Sequence, residues 1–95
     1  MTTPESKVKE KVRKILNQFS AYYVMPVTGG YGNSGAPDFI ACYNGRFYGI
    51  ECKAGKGKAT ALQHMNLRRI VECGGIAMII NEDNIEDLRQ HLERP

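Results

Sequence analysis

The stretch Gly35-Ala36-Pro37-Asp38-Phe39-Ile40-Ala41-Cys42-Tyr43-Asn44-Gly45-Arg46-Phe47-Tyr48-Gly49-Ile50-Glu51-Cys52-Lys53 decides how this chain is read. Asn-Gly between apolar and aromatic runs is the strongest short-range hairpin signal, because a type I′ turn needs two residues that tolerate positive φ. With Asn44 and Gly45 as the turn, Tyr43 faces Arg46 and each step outward keeps the paired numbers summing to 89, so Asp38 faces Glu51. Directly opposed residues share a face, with Cβ atoms roughly 4.5–5.5 Å apart. That is close enough for two carboxylates to hold one cation. Lys53 lies two residues past Glu51 and shares its face by strand alternation. Two acids and a lysine converging on a sheet surface suit metal-assisted hydrolysis.

A purely structural reading competes. Opposed acids repel, and a pair bridged by Lys53 on an exposed face would need no function. Ile40, Cys42 and Phe47 share that face, which argues that it packs against a helix. Acids at the fringe of a buried face call for compensation.

The 95 residues, 42% of them hydrophobic, fit one compact domain spanning 1–95. No segment approaches the ~20 apolar residues that cross a membrane, and the polar start Met-Thr-Thr-Pro-Glu-Ser-Lys is unlike a signal peptide. A soluble, cytoplasmic protein without a membrane partner is expected, in a bacterial or phage-infected cell. Cys42, Cys52 and Cys73 are odd in number and show no CxxC spacing, so they are expected to be small buried hydrophobes. A net charge of +3 permits a nucleic-acid partner without demanding one. Its distribution says more: Lys53, Lys56, Lys58, His64, Arg68 and Arg69 cluster after the hairpin. Beside an acidic pair, Lys56, Lys58, His64 and Arg68 are candidates for phosphate contact. Lys7 to Lys14 read instead as the solvated face of a helix.

That first helix starts with Thr3 as N-cap and Pro4 in the first turn. Val8, Val12, Ile15, Leu16 and Phe19 fall within about 100° of arc, and Glu5 lies at the arc's edge while Glu10 points away. Ala21 to Thr28 reads as a strand whose Pro26 marks an edge or bulge. Gly29 to Gly35 is a glycine-rich loop with the wrong spacing for a phosphate cradle. Ala54 to Ala59 forms a mobile basic loop. Thr60-x-x-Gln63 is a capping box opening a helix to about Cys73. Gly74-Gly75 ends that helix, Ile76 to Ile80 is a short strand of the fully buried kind, and Asn84 caps a last helix carrying Ile85, Leu88 and Leu92. The expected order is α-β-β-β-α-β-α, with the last strand parallel to the Glu51 strand. This is an α/β fold, a mixed four-stranded sheet flanked by helices.

Pro37-Asp38, a gap of twelve residues, and then Glu51-Cys52-Lys53 resembles the signature of the PD-(D/E)xK nuclease superfamily, whose fold is restriction-endonuclease-like. Within it the chain is similar to the small stand-alone virus-type replication-repair nuclease (VRR-NUC) domain. Glu5, Gly35-x-Pro37-Asp38, Ile50-Glu51-x-Lys53, Gln63 and Gly75 carry the resemblance. It implies that Asp38 and Glu51 ligate Mg²⁺ or Mn²⁺ together with the backbone carbonyl of Cys52, and that Lys53 is the catalytic lysine. It also implies that Glu5 completes the acidic cluster, directly or through water. Gln63 organises the site, a role that competes with its place in the capping box. The activity implied is structure-selective DNA cleavage, with four-way junctions as substrate and a homodimer as the working form. The alternatives are a non-catalytic nucleic-acid-binding module and a nuclease for flaps, restriction sites or RNA.

Overall fold

The computed structural model describes residues 2–27 and 35–95. Three helices and four strands follow in the order α1 (Pro4–Gln18), β1 (Tyr22–Val24), β2 (Phe39–Tyr43), β3 (Arg46–Cys52), α2 (Ala61–Glu72), β4 (Ile76–Ile80) and α3 (Ile85–Glu93). The sheet order is β1-β2-β3-β4. The first two pairings are antiparallel and the β3–β4 pairing is parallel. The α/β class, element order and mixed sheet expected from the sequence are all present.

The hairpin forms as its turn chemistry dictates. Asn44 and Gly45 sit at φ 52° and 76°, and the ladder pairs Tyr43 with Arg46, Cys42 with Phe47, Ala41 with Tyr48, Ile40 with Gly49 and Phe39 with Ile50. Alternation then sends Phe39, Ala41, Tyr48, Ile50 and Cys52 to one face. There they meet Val8, Val12, Ile15 and Leu16 of α1 and Leu88 and Leu92 of α3 in the main core. The opposite face of β3 belongs to α2. Ile70 lies directly over Gly49, where no side chain fits, and Gln63 reaches Glu51.

Both outer helices begin as their sequences require. The Thr3 hydroxyl accepts from Ser6 N–H at 3.1 Å and Ser6 Oγ accepts from Thr3 N–H at 2.9 Å. The Thr60 hydroxyl accepts from Gln63 N–H at 3.2 Å, and Gln63 Oε1 accepts from Thr60 N–H at 2.8 Å. Each pair satisfies two otherwise orphaned donors of a first turn.

Several expectations are corrected. The strand expected over Ala21–Thr28 is only Tyr22–Val24; Thr28 itself, like the glycine-rich segment to 34, lies outside the described residues. Extending the β1–β2 register would set Pro26 opposite Asp38, and proline has no N–H to donate. β4 is not fully buried: it is an edge strand, and of its residues only Ile80 is buried. Asn84 stands at the start of α3 but its side chain does not cap it. Its amide instead donates to Ile79 carbonyl at 2.8 Å and its Oδ1 accepts from Asn81 N–H at 2.7 Å, while Asn81 Oδ1 receives the N–H groups of Asp83 and Asn84. These bonds order the turn between β4 and α3 and leave α3 without a side-chain cap. Of the cysteines Cys52 is buried, whereas Cys42 and Cys73 are exposed. The basic loop is pinned: Gly55 N–H donates to the Glu82 carboxylate at 2.9 and 3.1 Å, and Gly57 N–H closes a turn onto Ala54 carbonyl. Among the described residues no helix is long and apolar enough to cross a membrane.

Candidate active site

The residues singled out by the hairpin meet at one end of the sheet, between the first turns of α1 and α2. Asp38 lies one residue beyond the ladder, whose last pair is Phe39 with Ile50. Its side chain continues what the backbone does not, since Oδ2 accepts the Cys52 N–H at 2.8 Å. The hairpin register therefore brings Asp38 to the end of β3, held there by its carboxylate rather than by strand pairing.

Glu51 is the one buried charged residue among those described, 2% exposed. Its Oε2 accepts from Gln63 Nε2 at 2.8 Å and stands 3.4 Å from the Lys53 ammonium. Its Oε1 is buried and has no hydrogen-bond partner among the described residues. Burial, and after it the charge of Asp38, push the Glu51 carboxyl above its ordinary range, and Lys53 only partly opposes them. A buried carboxylate oxygen without a donor is costly. Such a group, its pKa raised by burial and by a like charge, marks a functional-site candidate.

Lys53 shares the Glu51 face, as alternation predicts, and is 15% exposed. Gln63 has both roles that the sequence set in competition. Its carbonyl end closes the capping box and its NH₂ end fixes Glu51, so the first turn of α2 is itself a wall of the site. Cys52 brings its N–H to Asp38. Its thiol faces the core, where burial raises its pKa far above the ordinary thiol value, so it stays a neutral, inert hydrophobe.

Glu5 and Asp38 share Lys9, whose ammonium lies 3.7 Å from Glu5 Oε2 and 3.5 Å from Asp38 Oδ1. Among the described residues no three His, Cys, Asp or Glu side chains stand together as a ready-made metal cage. Burial works against the charge on Lys9, but Asp38 and Glu5 outweigh it and raise its pKa. Lys9 is the site residue that sequence reasoning missed, having been grouped with the solvated lysines of α1. The signal was present: Lys9 follows Glu5 by four residues and so lies on the same side of the helix.

The basic candidates divide. Lys56 and Lys58 are exposed on the loop that continues from Lys53. His64 and Arg68 border a groove between α2 and β4, with Leu67, Val71, Ala77 and Ile79. A scan against protein-family models finds none that matches, and a search of curated proteins likewise finds no match.

Proposed function

We propose that this chain is a Mg²⁺- or Mn²⁺-dependent endonuclease that hydrolyses phosphodiester bonds in DNA, of the VRR-NUC kind within the PD-(D/E)xK superfamily. The observation that carries the reading is Glu51: a buried carboxylate with one oxygen unpartnered among the described residues, beside a second carboxylate, with a lysine against it. A hard divalent cation is the partner such an oxygen lacks. Asp38 and Glu51 would hold it, with the Cys52 carbonyl as a further donor. When bound, such an ion neutralises charge on a scissile phosphate and lowers the pKa of an attacking water.

The remaining tasks belong to the chain's own groups. The Lys53 ammonium, 3.4 Å from Glu51, orients the nucleophilic water or offsets charge developing on the phosphate. Gln63 locks Glu51 in one orientation, which shortens the search for a reactive geometry. Lys56 and Lys58 supply sequence-independent phosphate contacts along the loop. Branched DNA as substrate and a homodimer as working form belong to the same proposal, since a two-fold axis sets two centres against two related strands.

The test is incubation of the protein with labelled four-way junction, flap, duplex and single strand, in Mg²⁺, Mn²⁺ or EDTA. Asp38→Ala, Glu51→Ala and Lys53→Ala should each abolish metal-dependent cleavage while circular dichroism stays native. A protein that shifts DNA and never cuts it would be a binding module, and full activity in Lys53→Ala would refute the assigned mechanism.

A further inference from the structure

We infer that Lys9 is a built-in counter-cation that holds the acidic end of the site together without metal and sets how tightly a divalent ion binds. This deepens the metal-site reading and rests on it. Lys9 bridges two acids from different elements, Glu5 of its own helix and Asp38 before β2. Among the described residues it is the one ammonium against Asp38, as Lys53 is the one against Glu51. The two acids therefore carry separate lysines. Their surroundings differ. Lys53 is 15% exposed, closed in beside Glu51, whereas Lys9 is 34% exposed on a long flexible stem at the helix surface. An ammonium in that position can swing into water when a stronger cation arrives.

A divalent ion ligated by Asp38 would meet the Lys9 charge at close range, and like charges in a partly desolvated site repel strongly. Either the ion binds against that repulsion or Lys9 leaves. In both cases Lys9 lowers the apparent affinity. The arrangement also keeps Asp38 placed before metal arrives, because Asp38 Oδ1 is held by Lys9 and Oδ2 by Cys52 N–H.

The experiment measures Mn²⁺ binding by isothermal titration calorimetry, and thermal melting in EDTA, for the wild type, Lys9→Met, Lys9→Arg and Asp38→Asn. Methionine keeps the stem and the helix propensity and removes the charge. Lys9→Met should bind Mn²⁺ about tenfold more tightly, yet melt about 2–4 °C lower in EDTA. Lys9→Arg, which keeps the charge, should stay within about twofold of the wild type. If the wild type binds Mn²⁺ and Lys9→Met binds no more tightly, Lys9 is only a structural ion pair and the inference fails. If the wild type and Asp38→Asn show the same negligible binding, the metal site itself is refuted, and this inference falls with it.

Discussion

Replacing Glu51 with glutamine separates a functional acid from a structural one, because the two roles demand opposite signs. In the metal-free protein Oε1 is buried with no donor among the described residues, a desolvation cost of about 1–3 kcal/mol for a polar group and more for a charged one. Glutamine keeps an acceptor for Gln63 Nε2 and removes the buried charge. What is lost is the pair with Lys53. That lysine is only 15% exposed and closed in beside Glu51, so freeing it costs about 2 kcal/mol, between the exposed and the buried case. The balance favours Glu51→Gln by about 1 kcal/mol, which raises Tm by about 4–8 °C for a chain of this size. The pH dependence follows from the raised Glu51 pKa. The folded state binds this proton more tightly than the unfolded state, so the contribution of Glu51 is full below its ordinary value of 4.5 and is lost as pH rises through the raised one. The advantage of glutamine should vanish in acid and be complete at neutral pH. Metal reverses the order: Mn²⁺ at one hundred times its Kd stabilises the wild type by about 2.7 kcal/mol, and Glu51→Gln should gain little. Chemical denaturation in EDTA and in Mn²⁺, from pH 4 to 8, reads all of this. A Glu51→Gln protein less stable than the wild type in EDTA at neutral pH would refute the reasoning and make the Lys53 pair the reason for Glu51.

Gln63→Glu should leave α2 intact, since glutamate serves a capping box equally well. It sets a carboxylate against Glu51 Oε2 in place of the 2.8 Å amide donor, and denaturation at neutral pH should show a loss of about 2 kcal/mol that shrinks on acidification. Gly35→Ala tests how the segment before Asp38 docks. An added Cβ would lie 2.7 Å from Leu62 carbonyl and 2.6 Å from Leu62 Cγ, so α2 must shift, and a loss of about 1–3 kcal/mol is expected. Unchanged stability in this variant would show that the close approach is slack.

The hairpin and its register were legible because Asn44-Gly45 is a local signal, read from two residues that tolerate positive φ. Glu51 and Lys53 followed by alternation alone, and the Thr60–Gln63 box marked the start of α2 in the same local way. What the sequence left hidden depends on tertiary placement. Nothing in residues 76–80 says that their strand lies at a sheet edge, and its apolar run reads the same in the middle. Lys9 looks like its solvated neighbours until β2 brings Asp38 beside it. Asn84 has the right residue type for a cap, and only the path of the chain after β4 turns its side chain back to Ile79 and Asn81. The grouping of the side chains was therefore visible as an acid pair with a lysine, whereas the lysine on the other acid was not.

Gln63 has a dynamic consequence. Helix ends fray first, and local opening is cheapest there. Because one amide both closes the first turn of α2 and grips Glu51, these are a single cooperative unit: when that turn opens, the carboxylate loses its clamp in the same event. Order at the site is then inherited from a helix terminus. A strand of nucleic acid lying along the Lys56–Lys58 loop, just ahead of Thr60, would quieten that terminus and so sharpen Glu51 without touching it.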